Sequence, residues 1–400
     1  MDPRGRGRGR GGGGATDAAH PRSYAERMPA PFPFEALRRW PDAEGDGLVA
    51  VDAADRLLLD EAAPALAAAP PGTVVVIGDA YGALALAAIH GGARDVRVHQ
   101  DALSGERALA ANAERLGIDG IRSLSLDAGL VAGARVVLLR LPRSLDALRD
   151  ITGLIAAHAH PEVVVFAGGR LKHMTVAMND VLREYFSRLD VTHARQKSRV
   201  LIARGPHDGR DPEPAAGRDG DLELRAFGGA FAGARLDHGT RLLLQHLPAA
   251  PAGGSAEDPF IDFACGTGAV AAHLALRHPD ASVYASDQSA AAVASAIATA
   301  EANGVGNRVQ VVRDDLLGLR PDASASFIAL NPPFHTGAAV SDLVAPRLFA
   351  DAGRVLRPGG ELWCVWNSPL RYRPVLERLV GPTLQVARDA RFTVTVSTRR

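Results

Sequence analysis

Cysteine is almost missing. Cys265 and Cys364 are the only two in 400 residues, too few for a disulfide framework or a cysteine zinc site, so a reducing cytoplasm is the expected compartment. No run of about 18 apolar residues is available to cross a bilayer as a helix, and no membrane partner is expected. Net charge is lacking too: Lys plus Arg and Asp plus Glu are each 45, which removes the global electrostatic footprint of a nucleic-acid binder. Histidines such as His90, His99, His173 and His273 show no metal-ligand spacing, so no metal is expected. What is present is 47% hydrophobic and 22% charged residues, the range of globular proteins, over a length that favours two domains.

The first residues, Met1 to Gly14, alternate Arg and Gly with no apolar stretch behind them, so a secretory peptide does not fit. Residues 1–33 read as a disordered tail, either a cationic arm that tracks phosphates or a segment without a role. An Ala-, Leu- and Val-rich body follows over 34–204. Residues 205–221, with Pro206, Gly209, Pro212, Pro214 and Gly217, read as a linker. The second body, 222–400, alternates strands and helices. Strands are expected at Phe260 to Phe263, Ser282 to Ala285, Val309 to Val312, Phe327 to Leu330 and Leu362 to Trp366, the last announced by an Arg357-Pro358-Gly359-Gly360 turn. Ser289 is placed to cap a helix with Val293, Ile297 and Ala300 on one face and Asn303-Gly304 as its stop. Thr383 to Ala387 and Phe392 to Val396 are too close for a helical crossover and predict an antiparallel hairpin.

The two bodies repeat one pattern. Thr73 to Ile89 has the outline of Phe260 to Leu276, Leu116-Gly117-Ile118 falls on Asn303-Gly304-Val305, and Pro142 falls opposite Pro333. The expected architecture is therefore α/β: two tandem Rossmann-like domains, each a mostly parallel sheet with a C-terminal antiparallel hairpin. The chemistry is confined to the second copy. Asp262, Gly266, Asp287, Asn331 and Phe334 face Val76, Ala80, Gln100, Arg140 and Arg143 in the first, which predicts a degenerate N-terminal copy kept for RNA recognition or as scaffold.

In the second copy, Asp262-Phe263-Ala264-Cys265-Gly266-Thr267-Gly268 puts an acid at a strand end and two glycines in the turn before a helix. Backbone N–H groups and the helix N-terminus can there approach an anionic group. The third glycine of a dinucleotide fingerprint is missing, which disfavours an NAD-dependent dehydrogenase. Asp287 ends the next strand, where an acid can accept ribose hydroxyls, and Asp314 and Asp315 follow the third. Asn331-Pro332-Pro333-Phe334-His335 follows the fourth. An exocyclic amine conjugated into a ring is a poor nucleophile. Two acceptors, the Asn331 side-chain oxygen and the Pro332 carbonyl, can hold both of its N–H bonds, while Phe334 offers a stacking face.

On these residues the sequence resembles class I S-adenosylmethionine-dependent methyltransferases with an Asn-Pro-Pro-Phe/Tyr motif. More narrowly, its two-copy plan is similar to bacterial ribosomal RNA guanine-N2 methyltransferases, and Phe231 to Pro248 and Ala338 to Phe349 are nearer to the large-subunit enzyme. The resemblance implies S-adenosylmethionine as cofactor, bordered by Asp237, Gly239 and Thr240. Its methionine end would lie at Asp262 to Gly268, its ribose at Asp287 and its adenine at Asp314 or Asp315. Asn331, Pro332, Pro333 and Phe334 would form the catalytic set. Ribosomal RNA, naked or in an assembly intermediate, is the implied partner of a monomeric, cytoplasmic enzyme. Phe263 and His238 depart from the family pattern. The alternatives are an amino methyltransferase acting on protein glutamine or on adenine, and a non-catalytic RNA-binding assembly protein. With the charge balanced overall, local patches that include Arg140 and Arg143 must carry RNA binding.

Overall fold

The central strands of both bodies are short apolar runs buried on both faces, as parallel sheets covered by helices require. The computed structural model describes residues 31–45, 47–333 and 338–400. In the first sheet β1 (Val74–Ile77), β2 (Val96–His99), β3 (Ile121–Ser123), β4 (Val136–Arg140), β5 (Val164–Arg170), β6 (Phe186–Val191) and β7 (Ser198–Pro206) take the order β3-β2-β1-β4-β5-β7-β6. The strands β8 (Ala215–Asp219) and β9 (Leu222–Ala226) form a separate ribbon. In the second sheet β10 (Phe260–Phe263), β11 (Val283–Asp287), β12 (Val309–Arg313), β13 (Ala325–Leu330), β14 (Leu356–Asn367), β15 (Thr383–Arg388) and β16 (Phe392–Thr398) take the order β12-β11-β10-β13-β14-β16-β15. The two orders are the same, and each sheet is parallel until its last two strands, which run antiparallel. Helices α1 (Ala53–Ala68), α2 (Ala83–His90), α3 (Leu103–Leu116), α4 (Ala128–Val131), α5 (Leu145–His158) and α6 (Val176–Arg183) belong to the first copy. The second has α7 (His238–His246), α8 (Ala269–Arg277), α9 (Ala290–Ala302), α10 (Ala338–Val355) and α11 (Arg373–Leu379). None of the described helices is long and apolar enough to cross a membrane.

The turn after the first strand carries the repeat in its backbone. Gly78, Ala80 and Gly82 are left-handed, and so are Ala264, Gly266 and Gly268 at the equivalent places. Glycine and alanine trade positions while the positive φ stays, so the conformation outlasts the residue that favours it.

The copies meet through matching loops. The Leu103 N–H donates to the Gln288 carbonyl (3.0 Å) and the Ala290 N–H to the Asp101 carbonyl (2.9 Å). Ser104 Oγ donates to Gln288 Oε1 (2.9 Å) and the Ala291 N–H to Asp101 Oδ1 (2.9 Å), around a bridge between Ala102 and Ser289. Exchanging the copies exchanges these contacts, the signature of an isologous interface built within one chain. Both loops follow the second strand of their sheet, so the carboxyl ends of the two sheets converge on this joint.

Three local expectations change. Residues 205–221 are not a bare linker: β7 runs to Pro206, and β8 pairs antiparallel with β9 across Gly220-Asp221, with Gly220 left-handed at φ +58°. One exposed face hid these strands from an apolar-period reading. In α9, Ile297 is exposed, whereas Ser295, Thr299 and Asn303 accept the N–H groups of Phe227, Arg225 and Glu223. A polar stripe was thus needed to satisfy the edge of β9. The Arg357 to Gly360 stretch is a bulge inside β14 rather than a turn before it: pairing passes from Ala325–Leu356 to Phe327–Glu361. Trp363, Cys364 and Trp366 are buried core.

Candidate functional site

A cavity of about 440 Å³ opens at the carboxyl ends of β10, β11, β12 and β13. Asp262, Phe263, Ala264, Cys265, Gly266, Asp287, Asp314, Asp315, Asn331, Pro332 and Pro333 line it, joined by Asp237 and Thr240 from the start of α7. Gly239 and Gly268 do not. A Cβ at Gly239 would stand 3.0 Å from the Phe392 ring, and one at Gly268 would stand 2.8 Å from the Ala296 Cα, so both are needed for close packing. A Cβ at Gly266 would meet nothing within 4 Å, which leaves that turn open toward the cavity. Phe334 and His335 lie outside the described residues. His238 turns away: Nε2 is 2.8 Å from Asp389 Oδ2 and the ring lies beside Phe392.

The cavity is acidic. Asp262 is buried, its Oδ2 accepts the Ala271 N–H (2.9 Å), and burial pushes its carboxyl up to about 7, with Asp287 adding to the rise. Asp287 accepts from Gly266 N (3.0 Å) and Ser289 N (2.9 Å), yet burial holds it above the usual carboxylate range. Asp314 Oδ2 accepts the Leu319 N–H (2.7 Å), whereas its Oδ1 is buried with no hydrogen-bond partner. A buried acceptor without a hydrogen bond costs about 1–3 kcal/mol unless a donor reaches it, and here only the Arg107 guanidinium, at 3.9 Å, offsets part of that. The set suits a cationic ligand that also carries a hydroxylated ring and an amine, and S-adenosylmethionine fits that description. Among the described residues no cluster that could hold a metal ion is present.

Asn331 is tied to the N-cap of α7. Its Nδ2 donates to Thr240 Oγ1 (2.9 Å) and lies 3.4 Å from Asp237 Oδ2. Thr240 Oγ1 in turn donates to Asp237 Oδ2. The first copy keeps the arrangement with other residues. Arg140 pairs with Asp52 (3.1 Å), the N-cap of α1, and with Asp55. Arg140 is therefore spent on an internal ion pair and is not part of a free RNA-binding patch. Nor has the first copy lost every buried acid. Asp79, three residues beyond the Val76 position, accepts the Leu84 and Ala85 N–H groups (2.7 and 2.8 Å) and is likewise pushed up to about 7 by burial.

The sequence reading missed the part of the first copy in this cavity. Asp42, Asp101, Ala102 and Ser104 line it, and Arg107 stands 3.9 Å from Asp314 and 3.5 Å from Asp315. The signal existed only as symmetry: Asp101 to Ser104 occupies the place in the first copy that Gln288 to Ala291 occupies in the second.

Comparison with known proteins places the chain. The family described as "Methyltransferase small domain" matches residues 221–396, and that described as "RLMG N-terminal domain" matches residues 27–207. A ribosomal RNA large subunit methyltransferase G of Streptomyces avermitilis is 37% identical over 383 residues, covering 92% of this chain and 97% of the relative. The protein of that name from Pseudomonas aeruginosa is 33% identical, covering 91% and 97%. A solved T. thermophilus 16S rRNA N2 methyltransferase in complex with AdoMet and guanosine shares the fold at TM-score 0.68 and 21% identity, over 87% of this chain and 92% of that one. With relatives of one name aligned along nearly their whole length and both halves matched in order, the chain belongs to the ribosomal RNA large subunit methyltransferase G family.

Proposed function

We propose that the protein transfers a methyl group from S-adenosylmethionine to the exocyclic N2 amine of a guanine in large-subunit ribosomal RNA. The observation that carries this reading is the Asn331 carboxamide, fixed by its nitrogen to α7 at the edge of a cavity lined with carboxylates. Its Oδ1 and the Pro332 carbonyl are the acceptors offered to an amine. When bound, the cofactor supplies an electrophilic methyl on a good leaving group, so no strong base is called for. Asp262 would face its methionine end, Asp287 its ribose, and Asp314 Oδ1 with Asp315 its adenine. Asn331 Oδ1 and Pro332 hold both N–H bonds of the guanine amine, which frees its lone pair for the methyl carbon. Most of the rate then comes from alignment, which is worth roughly 7–11 kcal/mol in favourable cases. A paired guanine must first be unstacked, at a cost of a few kcal/mol.

Arg143, Arg170, Lys172 and His173 cluster at the carboxyl ends of β4 and β5. His173 is exposed, and the slight desolvation it has, followed by the three flanking cations, lowers its pKa. This is the surface suited to RNA phosphates. All the described residues that line the cavity come from one chain, so activity as a monomer, in the compartment that holds ribosomal RNA, is part of the proposal. The deciding experiment maps N2-methylguanine in large-subunit RNA with and without the gene and restores it with purified protein and labelled cofactor. Loss and return of one modified guanine supports the reading, and an unchanged set overturns it.

The raised Asp262 carboxyl makes cofactor binding pH-dependent. Its free-protein value of about 7 means that it is mostly protonated at pH 6, whereas a cationic ligand favours the ionised form. Binding therefore releases a proton, and affinity rises with pH through 7 and then levels. One unit below that value the loss approaches about tenfold. Calorimetry at pH 6 and 8, in buffers of different ionisation enthalpy, measures both quantities. Equal affinities with no proton release would remove Asp262 from the cationic end of the site.

A further inference from the structure

We infer that Thr240 and Asp237 are positioning residues that hold the Asn331 carboxamide with its oxygen toward the substrate. The inference rests on the methyl-transfer reading of the same site. A carboxamide is nearly symmetric in shape, and turning it over exchanges an acceptor for two donors. Only the orientation with Oδ1 outward can accept from a guanine amine, so something in the fold must decide between them.

The hydrogen bonds around Asn331 make that decision. Asp237 is an acceptor only, and its Oδ1 already receives the Gly239 and Thr240 N–H groups at 2.9 and 3.2 Å. Its Oδ2 receives the Thr240 hydroxyl proton. Thr240 Oγ1, having donated, has only lone pairs left for Asn331, which it meets at 2.9 Å. Both neighbours therefore demand a donor. The turned-over carboxamide would set its oxygen against a carboxylate oxygen, and it could bond to Thr240 only if the hydroxyl gave up its bond to Asp237.

The first copy supplies an independent observation. At the three equivalent positions it has Asp52, Asp55 and Arg140, and again the group after the fourth strand donates to the N-cap of the first helix. Where that group is an all-donor guanidinium, its second partner is a carboxylate. Where it is a carboxamide, its second partner is a hydroxyl. The N-cap Asp is the same in both copies, and the other two residues differ together while the direction of donation stays, as expected of a matched unit rather than separate packing choices. No sequence period links them, since Asn331 is 91 residues from Thr240 and 94 from Asp237.

The test is single-turnover methyl transfer to large-subunit RNA by the full chain, with cofactor affinity measured in parallel. Thr240→Val keeps the shape and removes the hydroxyl, whereas Thr240→Ser keeps the hydroxyl and removes the methyl. Positioning predicts that Val lowers the transfer rate at saturating cofactor by about 10- to 100-fold, the loss of one hydrogen bond to a charged network, whatever it does to cofactor affinity. Ser regains most of that loss. A packing role predicts the reverse order, and finding Val more active than Ser would overturn the inference. If Thr240→Val does not fold, Asp237→Asn carries the test: it preserves the helix cap but admits a turned-over carboxamide, so a wild-type rate in that variant would also overturn the inference. Failure of the underlying reading looks different, since the unaltered chain would then transfer no methyl to large-subunit RNA at all.

Discussion

Asn331→Ala is expected to reduce methyl transfer by about 100- to 1,000-fold or more while leaving cofactor affinity nearly unchanged. The magnitude is that of removing one preorganised hydrogen-bonding group from a transition state. The group matters because the guanine amine becomes nucleophilic only as its nitrogen leaves the ring plane, and an acceptor on its N–H favours that geometry more in the transition state than in the ground state. Cofactor affinity is spared because Asp262, Asp287 and Asp314 are anchored by the backbone N–H groups of Ala271, Gly266, Ser289 and Leu319 and not by Asn331. Pro332 still presents its carbonyl, so activity falls steeply without the site collapsing. Rapid-quench measurement with labelled cofactor gives the rate, and calorimetry gives the affinity. Unchanged turnover would sink the assignment of Asn331.

Most of the second sheet was legible because parallel strands buried on both faces are short apolar runs, and because Gly266, Gly268 and Asn303-Gly304 mark the turns between them. The duplication was legible for the same reason. The polar edges were not. Ser295, Thr299 and Asn303 bond to β9 through a partner some 70 to 80 residues away, and a helical period counted on apolar residues points at Ile297 instead. Asp79 escaped notice because its carboxylate serves the same helix N-terminus as Asp262 from a different strand position. In the candidate site, the acids and Asn331 could be named because each stands at a strand end. Asp237 and Thr240, at the start of α7, could be named only through the family resemblance, and the Asp101 loop could not be named at all, because it arrives through the closure of one copy on the other.

That closure changes the meaning of degeneracy in the first copy. Its counterpart of the live cavity is filled from within: Gln100, at the Asp287 position, is buried, and its side-chain oxygen lies so near Gly105 that a Cβ there would stand 2.4 Å from it. Gln100 stands where the second copy has Asp287, while the outward loop Asp101 to Ser104 lines the neighbouring cavity. The first copy thus reaches the second copy's cavity through its surface, which leaves its interior free to be selected for stability.

Arg140 is where that selection is most exposed to test, and Arg140→Asn is expected to destabilise the protein by about 3–5 kcal/mol. Asp55 is 5% exposed, and burial already holds its carboxyl above the usual range despite the adjacent guanidinium. Removing the cation leaves Asp52 and Asp55 facing each other, with the buried Asp79 also nearby. The second copy shows what makes an asparagine acceptable at this place: a threonine in place of the second acid. Arg140→Asn combined with Asp55→Thr recreates the Asp, Thr and Asn set of the second copy, and it is expected to recover more than half of the single-variant loss. Asp55→Thr alone should also destabilise, since it removes the reciprocal cap on the Asp52 N–H (2.8 Å) and one partner of Arg140. The double variant is therefore more stable than the two single losses added together. Urea denaturation of the four proteins measures this coupling. Losses that add within about 0.5 kcal/mol would show that the three residues do not act as one unit, and would weaken the case for their counterparts around Asn331 as well.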